Sequence, residues 1–164
     1  MGGAKATALL AGRPLVAWAL DALRDAGVGE LVVAAKADTP LPALDVPVWI
    51  EPDEPRHPLA GVVHALERAD GRAIVTLPVD LPLVPAAALA ALAAADGCAM
   101  VRGHPLLARF PAGTVLAARG RATDAVLALR PQIVEAGDLL DVNTPADLRA
   151  AEALLSRGSA GSGR

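Results

Sequence analysis

Asp80 sits in the run Pro78-Val79-Asp80-Leu81-Pro82, directly after the apolar stretch 73–77, which reads as a buried strand. A carboxylate at the carboxyl end of such a strand stands where doubly wound sheets present their ligands, and the flanking prolines stiffen its backbone. Hard oxygen donors of this kind suit Mg2+, which keeps several waters and fills its shell with one or two carboxylates and substrate phosphates. Helix capping is the competing explanation and fits poorly, because Asp80 lies several residues ahead of the helix that Pro85 would start. Lys5 offers the complementary charge. The run Met1-Gly2-Gly3-Ala4-Lys5 puts a lysine beside a glycine pair just ahead of a helix, the arrangement in which backbone N–H groups and one ammonium surround a polyanion. Read alone, such a run at a starting methionine is more often a flexible terminus than half a binding loop.

Three further runs hold candidate groups. His57-Pro58-Leu59-Ala60-Gly61 precedes a helix, and its small residues would let a ligand approach the backbone closely, although a simple helix start explains it too. Asp53, in the polar loop before it, is either an acceptor for a base or ribose or an ordinary acidic surface residue. In Asp141-Val142-Asn143-Thr144-Pro145-Ala146-Asp147, Thr144 caps, Pro145 takes the first helical position, and Asp147 lies in a first turn that favours negative charge. Capping leaves Asp141 over, as a second oxygen donor to the cation or as a solvated carboxylate. Arg102, Arg109, Arg119, Arg121 and Arg130 gather in the second half, where they form a second phosphate-recognition surface or a solvated face.

Composition removes several other chemistries. His57, His64 and His104 lack metal-site spacing and read as structural, and no serine or cysteine occupies a nucleophile-elbow pattern, so zinc-enzyme and hydrolase readings lack support. The single cysteine, Cys98, removes an internal disulfide and any multi-cysteine zinc site; with no signal peptide at the start, a cytoplasmic location is expected. A formal charge of -3 argues against nucleic acid or an acidic membrane surface as partner, and no stretch has the length and apolar purity of a membrane span. Small molecules are the expected partners, and an acidic protein holding a polyanion needs a bridging cation.

Elements that would position these groups follow from periodicity. The 164 residues, 54% of them apolar, suffice for one core and are too few for two ordinary domains. Helical spacing runs over 14–26, 59–69, 85–95, 112–118, 123–129 and 145–155, and strand-like runs over 31–35, 46–50, 73–77, 99–102, 105–110 and 132–135. Gly103-His104 suits a hairpin or sharp bend between two of these strands. The alternation predicts an α/β domain with a mostly parallel sheet covered on both faces and ligands at the carboxyl strand ends. No strand is expected ahead of the helix at Pro14, and the tail after Ser156 should be disordered.

In this order the pieces resemble the molybdenum cofactor guanylyltransferase family, over most of the chain. The Met1-to-Lys5 run is similar to the end of that family's opening signature, which begins after a first strand with Leu-Ala-Gly-Gly and passes through Arg-Met-Gly to a lysine. Gly12-Arg13-Pro14-Leu15 resembles the segment entering the first helix, Pro58-Leu59-Ala60-Gly61 a motif that shapes the guanylyltransferase pocket, and Asn143-Thr144-Pro145-Ala146-Asp147 the closing motif. The resemblance implies a Rossmann-like three-layer nucleotide-diphospho-sugar transferase fold over 1–157, with a disordered tail over 158–164 and the first strand missing. It implies transfer of GMP from GTP to the phosphate of molybdenum-molybdopterin, releasing pyrophosphate. Lys5 and Asp80 would be catalytic; Lys5, Asp53, Pro58, Leu59, Ala60, Gly61 and Asp80 would contact the nucleotide; Asp80, with Asp141, would hold Mg2+. A molybdoenzyme or delivering chaperone is a candidate protein partner.

This chain departs from the family at three points: the initial strand and its glycine-rich loop are missing, Ala34 replaces an asparagine after the second strand, and Pro52 displaces the usual acidic position to Asp53. A different nucleotidyltransferase, cytidylyl or sugar-phosphate, and an inactive pterin-binding partner protein are the alternatives. Met1 aligns with an internal methionine of the signature. The in-frame DNA upstream is therefore expected to encode an apolar strand, a Leu-Ala-Gly-Gly-like loop and an arginine directly before Met1; a stop codon there would defeat this expectation.

Overall fold

Alternating helix and strand patterns give an α/β architecture in the computed structural model, which describes residues 5–161. After a single 3-10 turn at Lys5–Thr7 come β1 (Leu9–Leu10), β2 (Arg13–Pro14), α1 (Leu15–Asp25), β3 (Val33–Ala35), β4 (Val48–Ile50), α2 (Ala60–Arg68) and β5 (Ile74–Thr76). The second half holds α3 (Ala86–Ala94), β6 (Ala99–Val101), β7 (His104–Phe110), α4 (Ala122–Leu127), β8 (Gln132–Val134) and α5 (Pro145–Gly161). Among the described residues no helix is long and apolar enough to cross a membrane.

The main sheet has the order β5-β7-β6-β8. It is mixed, which corrects the mostly parallel sheet: β7 runs antiparallel to both β5 and β6, whereas β6–β8 and β3–β4 are parallel. Chain connectivity is the cause. Only Arg102 and Gly103 separate Val101 from its partner His104, and so short a link can join only antiparallel strands. Gly103 supplies the left-handed backbone, φ 79°, that such a turn needs.

Period-two alternation sorts the side chains of β6 and β7 onto two cores. Ala99, Val101 and Leu107 pack with Leu89 and Leu92 of α3, while Met100, Ala108 and Phe110 pack with Leu59, Val62 and Val126 from the α2 and α4 side. Both faces of the sheet are therefore covered, which is the three-layer arrangement. Beyond β5 the sheet is interrupted. β3 and β4 form their own two-stranded parallel pair, and a cavity of about 570 Å³ separates β3 from β5.

Three local expectations change. A hairpin, β1–β2, precedes α1 where no strand was expected, because Ala11 and Gly12 adopt φ 50° and 76° and so close a tight two-residue turn. The helix over 112–118 is absent: Thr114 N–H bonds back to Pro111 C=O, Gly113 has φ 76°, and of the run's two large apolar residues only Leu116 packs against the core while Val115 is 86% exposed. Helix α5 continues to Gly161, beyond its expected end at Leu155. The rest of the tail, like Met1 to Ala4, lies outside the described residues.

Candidate active site

β5 ends at Thr76, and the proline-framed segment after it delivers Asp80 to the carboxyl end of the sheet. Asp80 Oδ2 lies 3.1 Å from Lys5 Nζ, and the same ammonium donates to Asn143 Oδ1 at 2.5 Å. The Lys5 and Asp80 side chains are 30% and 26% exposed, so the pair is reachable from solvent. Backbone bonding locks the two loops together, with Val142 N–H donating to Asp80 C=O at 2.8 Å.

Asn143 is presented by the cap of α5. Thr144 Oγ1 accepts the Asp147 N–H at 3.2 Å, and Asp147 Oδ2 accepts the N–H groups of Asn143 and Thr144 at 3.0 and 2.8 Å. This reciprocal box satisfies the helix start and leaves the Asn143 amide oxygen turned to Lys5. The Asn143 N–H, then the Thr144 hydroxyl and N–H, hold the Asp147 carboxyl below its ordinary value. Hydrogen bonds from Arg13 and Arg102 do the same for Asp21 and Glu135, respectively. A depressed folded value gives stability that is fully present above the unfolded carboxylate value, about 4, and is lost as pH falls through the folded values. The urea midpoint should therefore hold from neutral pH to about 5 and drop below about 4; a midpoint that rises on acidification would contradict these pairings.

Two hard oxygens, Asp80 Oδ2 and Asn143 Oδ1, thus converge on one cation, the Lys5 ammonium. Among the described residues no group of three or more His, Cys, Asp or Glu could hold a metal ion. This donor set fits Mg2+ shared with substrate phosphates and does not fit an ion enclosed by protein alone. Asp141 is reached only indirectly: its Oδ1 lies 4.0 Å from His104 Nδ1, and the backbone of the next residue is what contacts Asp80.

The Pro58-to-Gly61 run opens α2, but its side chains divide. Leu59 is fully buried and Ala60 nearly so, whereas Pro58 and Gly61 line the cavity. His57 Nδ1 accepts the Leu59 N–H at 3.1 Å, so Nε2 carries the proton and donates to Gly120 C=O at 2.8 Å. His57 is thereby structural and ties this run to the loop bearing Arg119 and Arg121. Arg102 grips Glu135 and Arg109 donates to Gly97 C=O, while Arg119, Arg121 and Arg130 are exposed. Asp53 and Ala34 are exposed as well.

Glu51 escaped notice in the sequence. It follows β4 with a side chain only 14% exposed, 3.6 Å from Lys36 Nζ, and Lys36 also donates to Pro52 C=O. Its carboxylate lies against Gly61, where an added Cβ would stand 2.6 Å from Glu51 Oε1. An acidic residue directly after a strand was the available signal. Gly61→Ala is expected to move this carboxylate off Lys36 with a net stability change within about 1 kcal/mol, because alanine favours the helix. Urea unfolding reads the change; a loss well above about 1 kcal/mol would mean that the carboxylate cannot move aside.

A lysine, a carboxylate and an amide meet at the carboxyl end of an open α/β sheet, and the family match and relatives below make the protein a nucleotidyltransferase by class. The fold is similar to that of a nucleotidyl transferase from Methanothermobacter thermautotroptrophicus, with TM-score 0.73 and 22% identity over 93% of this chain and 86% of that one. It is also similar to 2-C-methyl-D-erythritol 4-phosphate cytidylyltransferase from Thermus thermophilus, with TM-score 0.67 and 22% identity over 94% and 95%. A molybdenum cofactor guanylyltransferase of Cereibacter sphaeroides is 36% identical over 96% of this chain and 91% of its own length. Another, from Rhodopseudomonas palustris (strain HaA2), is 32% identical over 95% and 86%. Residues 1–141 match the MobA-like NTP transferase domain, and the chain belongs to that family of enzymes.

Proposed function

We propose that the protein transfers GMP from GTP to the phosphate of molybdenum-molybdopterin, in the cytoplasm, yielding the guanine dinucleotide cofactor and pyrophosphate. The observation that carries this reading is the meeting of Lys5, Asp80 and Asn143 beyond β5, in a chain whose curated relatives are named molybdenum cofactor guanylyltransferases.

A phosphate oxygen of the pterin attacks the α-phosphorus of GTP. The bond from that phosphorus to the oxygen bridging the β-phosphate breaks, and pyrophosphate leaves with the electron pair. Such a transfer asks a protein mainly to position two anions and offset their charge. Lys5 is the offsetting cation: its ammonium exchanges Asp80 and Asn143 for oxygens of the leaving pyrophosphate. Asp80 and Asn143 are the groups that would hold Mg2+ together with the substrate phosphates. When bound, the ion supplies charge neutralisation across the triphosphate. The buried start of α2 presents its backbone at Pro58 to Gly61, with Asp53 in the adjoining loop.

Incubation with GTP, CTP, ATP or UTP in the presence of magnesium and molybdopterin, followed by pyrophosphate detection, tests the reading. Release with GTP in preference to the others is expected; preference for CTP would reassign the base, and release with none would remove the activity.

A further inference from the structure

We infer that Glu51 and Lys36 choose the nucleotide base: the Glu51 carboxylate accepts the N1–H and a 2-amino hydrogen of guanine, and the Lys36 ammonium donates to its O6. This role rests on the GMP transfer proposed above and adds how the base is selected. β3 and β4 end side by side, with Ala35 paired to Ile50 and the Glu51 N–H donating to Ala35 C=O at 2.8 Å, so the next side chains of both strands emerge together. They emerge on the α2 side. Trp49, two residues before Glu51 and therefore on the same face, lies under Arg68 of α2, and the Glu51 carboxylate lies against Gly61.

This corner shares an edge with Asp80. Glu30, ahead of β3, pairs with Arg72, ahead of β5, so the two strands start at one edge and end together at the other. The cavity between them is lined by Glu51 and Gly61 on one side and by Pro78 and Val79, which lead to Asp80, on the other. A nucleotide lying along this edge with its phosphates at Lys5 and Asp80 brings its base to Glu51.

The pair has unused hydrogen-bonding capacity of one kind. Lys36 and Glu51 are 16% and 14% exposed, and Lys36 Nζ stands 3.6 Å from Glu51 Oε2, too far for a hydrogen bond. Lys36 directs one donor to Pro52 C=O, while among the described residues no hydrogen bond reaches the Glu51 carboxylate. A carboxylate only accepts and an ammonium only donates, so the two present a pair of acceptors beside a donor. The guanine edge is the complement, two donors beside O6. Adenine and cytosine turn an amino group toward the ammonium and a bare ring nitrogen toward the carboxylate, so like faces like; uracil lacks the second donor.

The test measures calorimetric affinity, with magnesium and without acceptor, for GTP and for inosine triphosphate, which lacks only the 2-amino group. Wild-type protein should prefer GTP at least about tenfold, the usual cost of leaving a desolvated acceptor unpaired. Glu51→Ala should erase that preference, with a urea transition showing that the variant is folded. Lys36→Met should weaken both nucleotides alike and keep their ratio, because both carry O6. Indifference of the wild type to the 2-amino group, a preference that survives Glu51→Ala, or unchanged GTP affinity in Lys36→Met would overturn the assignment and leave GMP transfer standing. The pterin ring bears the same amino-oxo edge, so a Glu51→Ala variant that loses molybdopterin affinity with GTP untouched would also overturn it. Absence of binding by either nucleotide would overturn both the assignment and the transfer.

Discussion

Alanine in place of Asp80 is expected to lower pyrophosphate release from GTP about 10²- to 10³-fold, the usual consequence of removing one preorganised electrostatic contact from a transfer site. The fold should survive. The bond that joins this loop to the closing segment runs from Val142 N–H to the Asp80 backbone carbonyl, which alanine retains. The side-chain pair with Lys5 is open to solvent and adds little stability, about 0–1 kcal/mol. Asp80→Asn separates charge from shape: a comparable loss of turnover with unchanged urea midpoint marks the negative charge as the active feature. Turnover near normal in either variant would remove Asp80 from the mechanism.

Phe110→Ala should destabilise the protein by about 3–5 kcal/mol, a third or more of the stability of an ordinary domain. Phe110 is the only phenylalanine and is fully buried on β7, opposite Ile74. It packs in the core that Leu59 and Val62 of the α2 side share with Val126 of α4. Truncation leaves a cavity beneath Leu59, so the start of α2 should loosen and nucleotide affinity should fall with stability. Urea unfolding measures the first effect and calorimetry the second. A loss under about 1 kcal/mol would mean that the neighbouring side chains collapse into the space.

Local patterns were legible in the sequence wherever burial enforces a period. The apolar runs of β3 and β5 to β8 and the helical faces of α1, α2, α3 and α5 were readable because each has a core to meet. The apolar run over 112–118 was misread because, of its two large apolar residues, only Leu116 reaches a core and Val115 is exposed. The β1–β2 turn was missed because it relies on Ala11 in a left-handed conformation that alanine rarely adopts. Mixed pairing escaped because strand direction is set by connection length, and the Gly103 turn outweighs the α/β alternation around it. The site was legible one residue at a time. Asp80 and Lys5 stood out by type and flanks, but their contact spans 75 residues of sequence, and periodicity carries no such information. Asn143 was absorbed into a capping motif whose structural role is genuine, so nothing local marked its amide as facing Lys5.

The most direct measurement is a calorimetric titration of GTP, with and without magnesium, into the protein and into its Asp80→Ala variant. Saturable, magnesium-dependent GTP binding that disappears in Asp80→Ala is the expected result. No binding, or binding indifferent to both magnesium and Asp80, would contradict a nucleotide site built around this carboxylate.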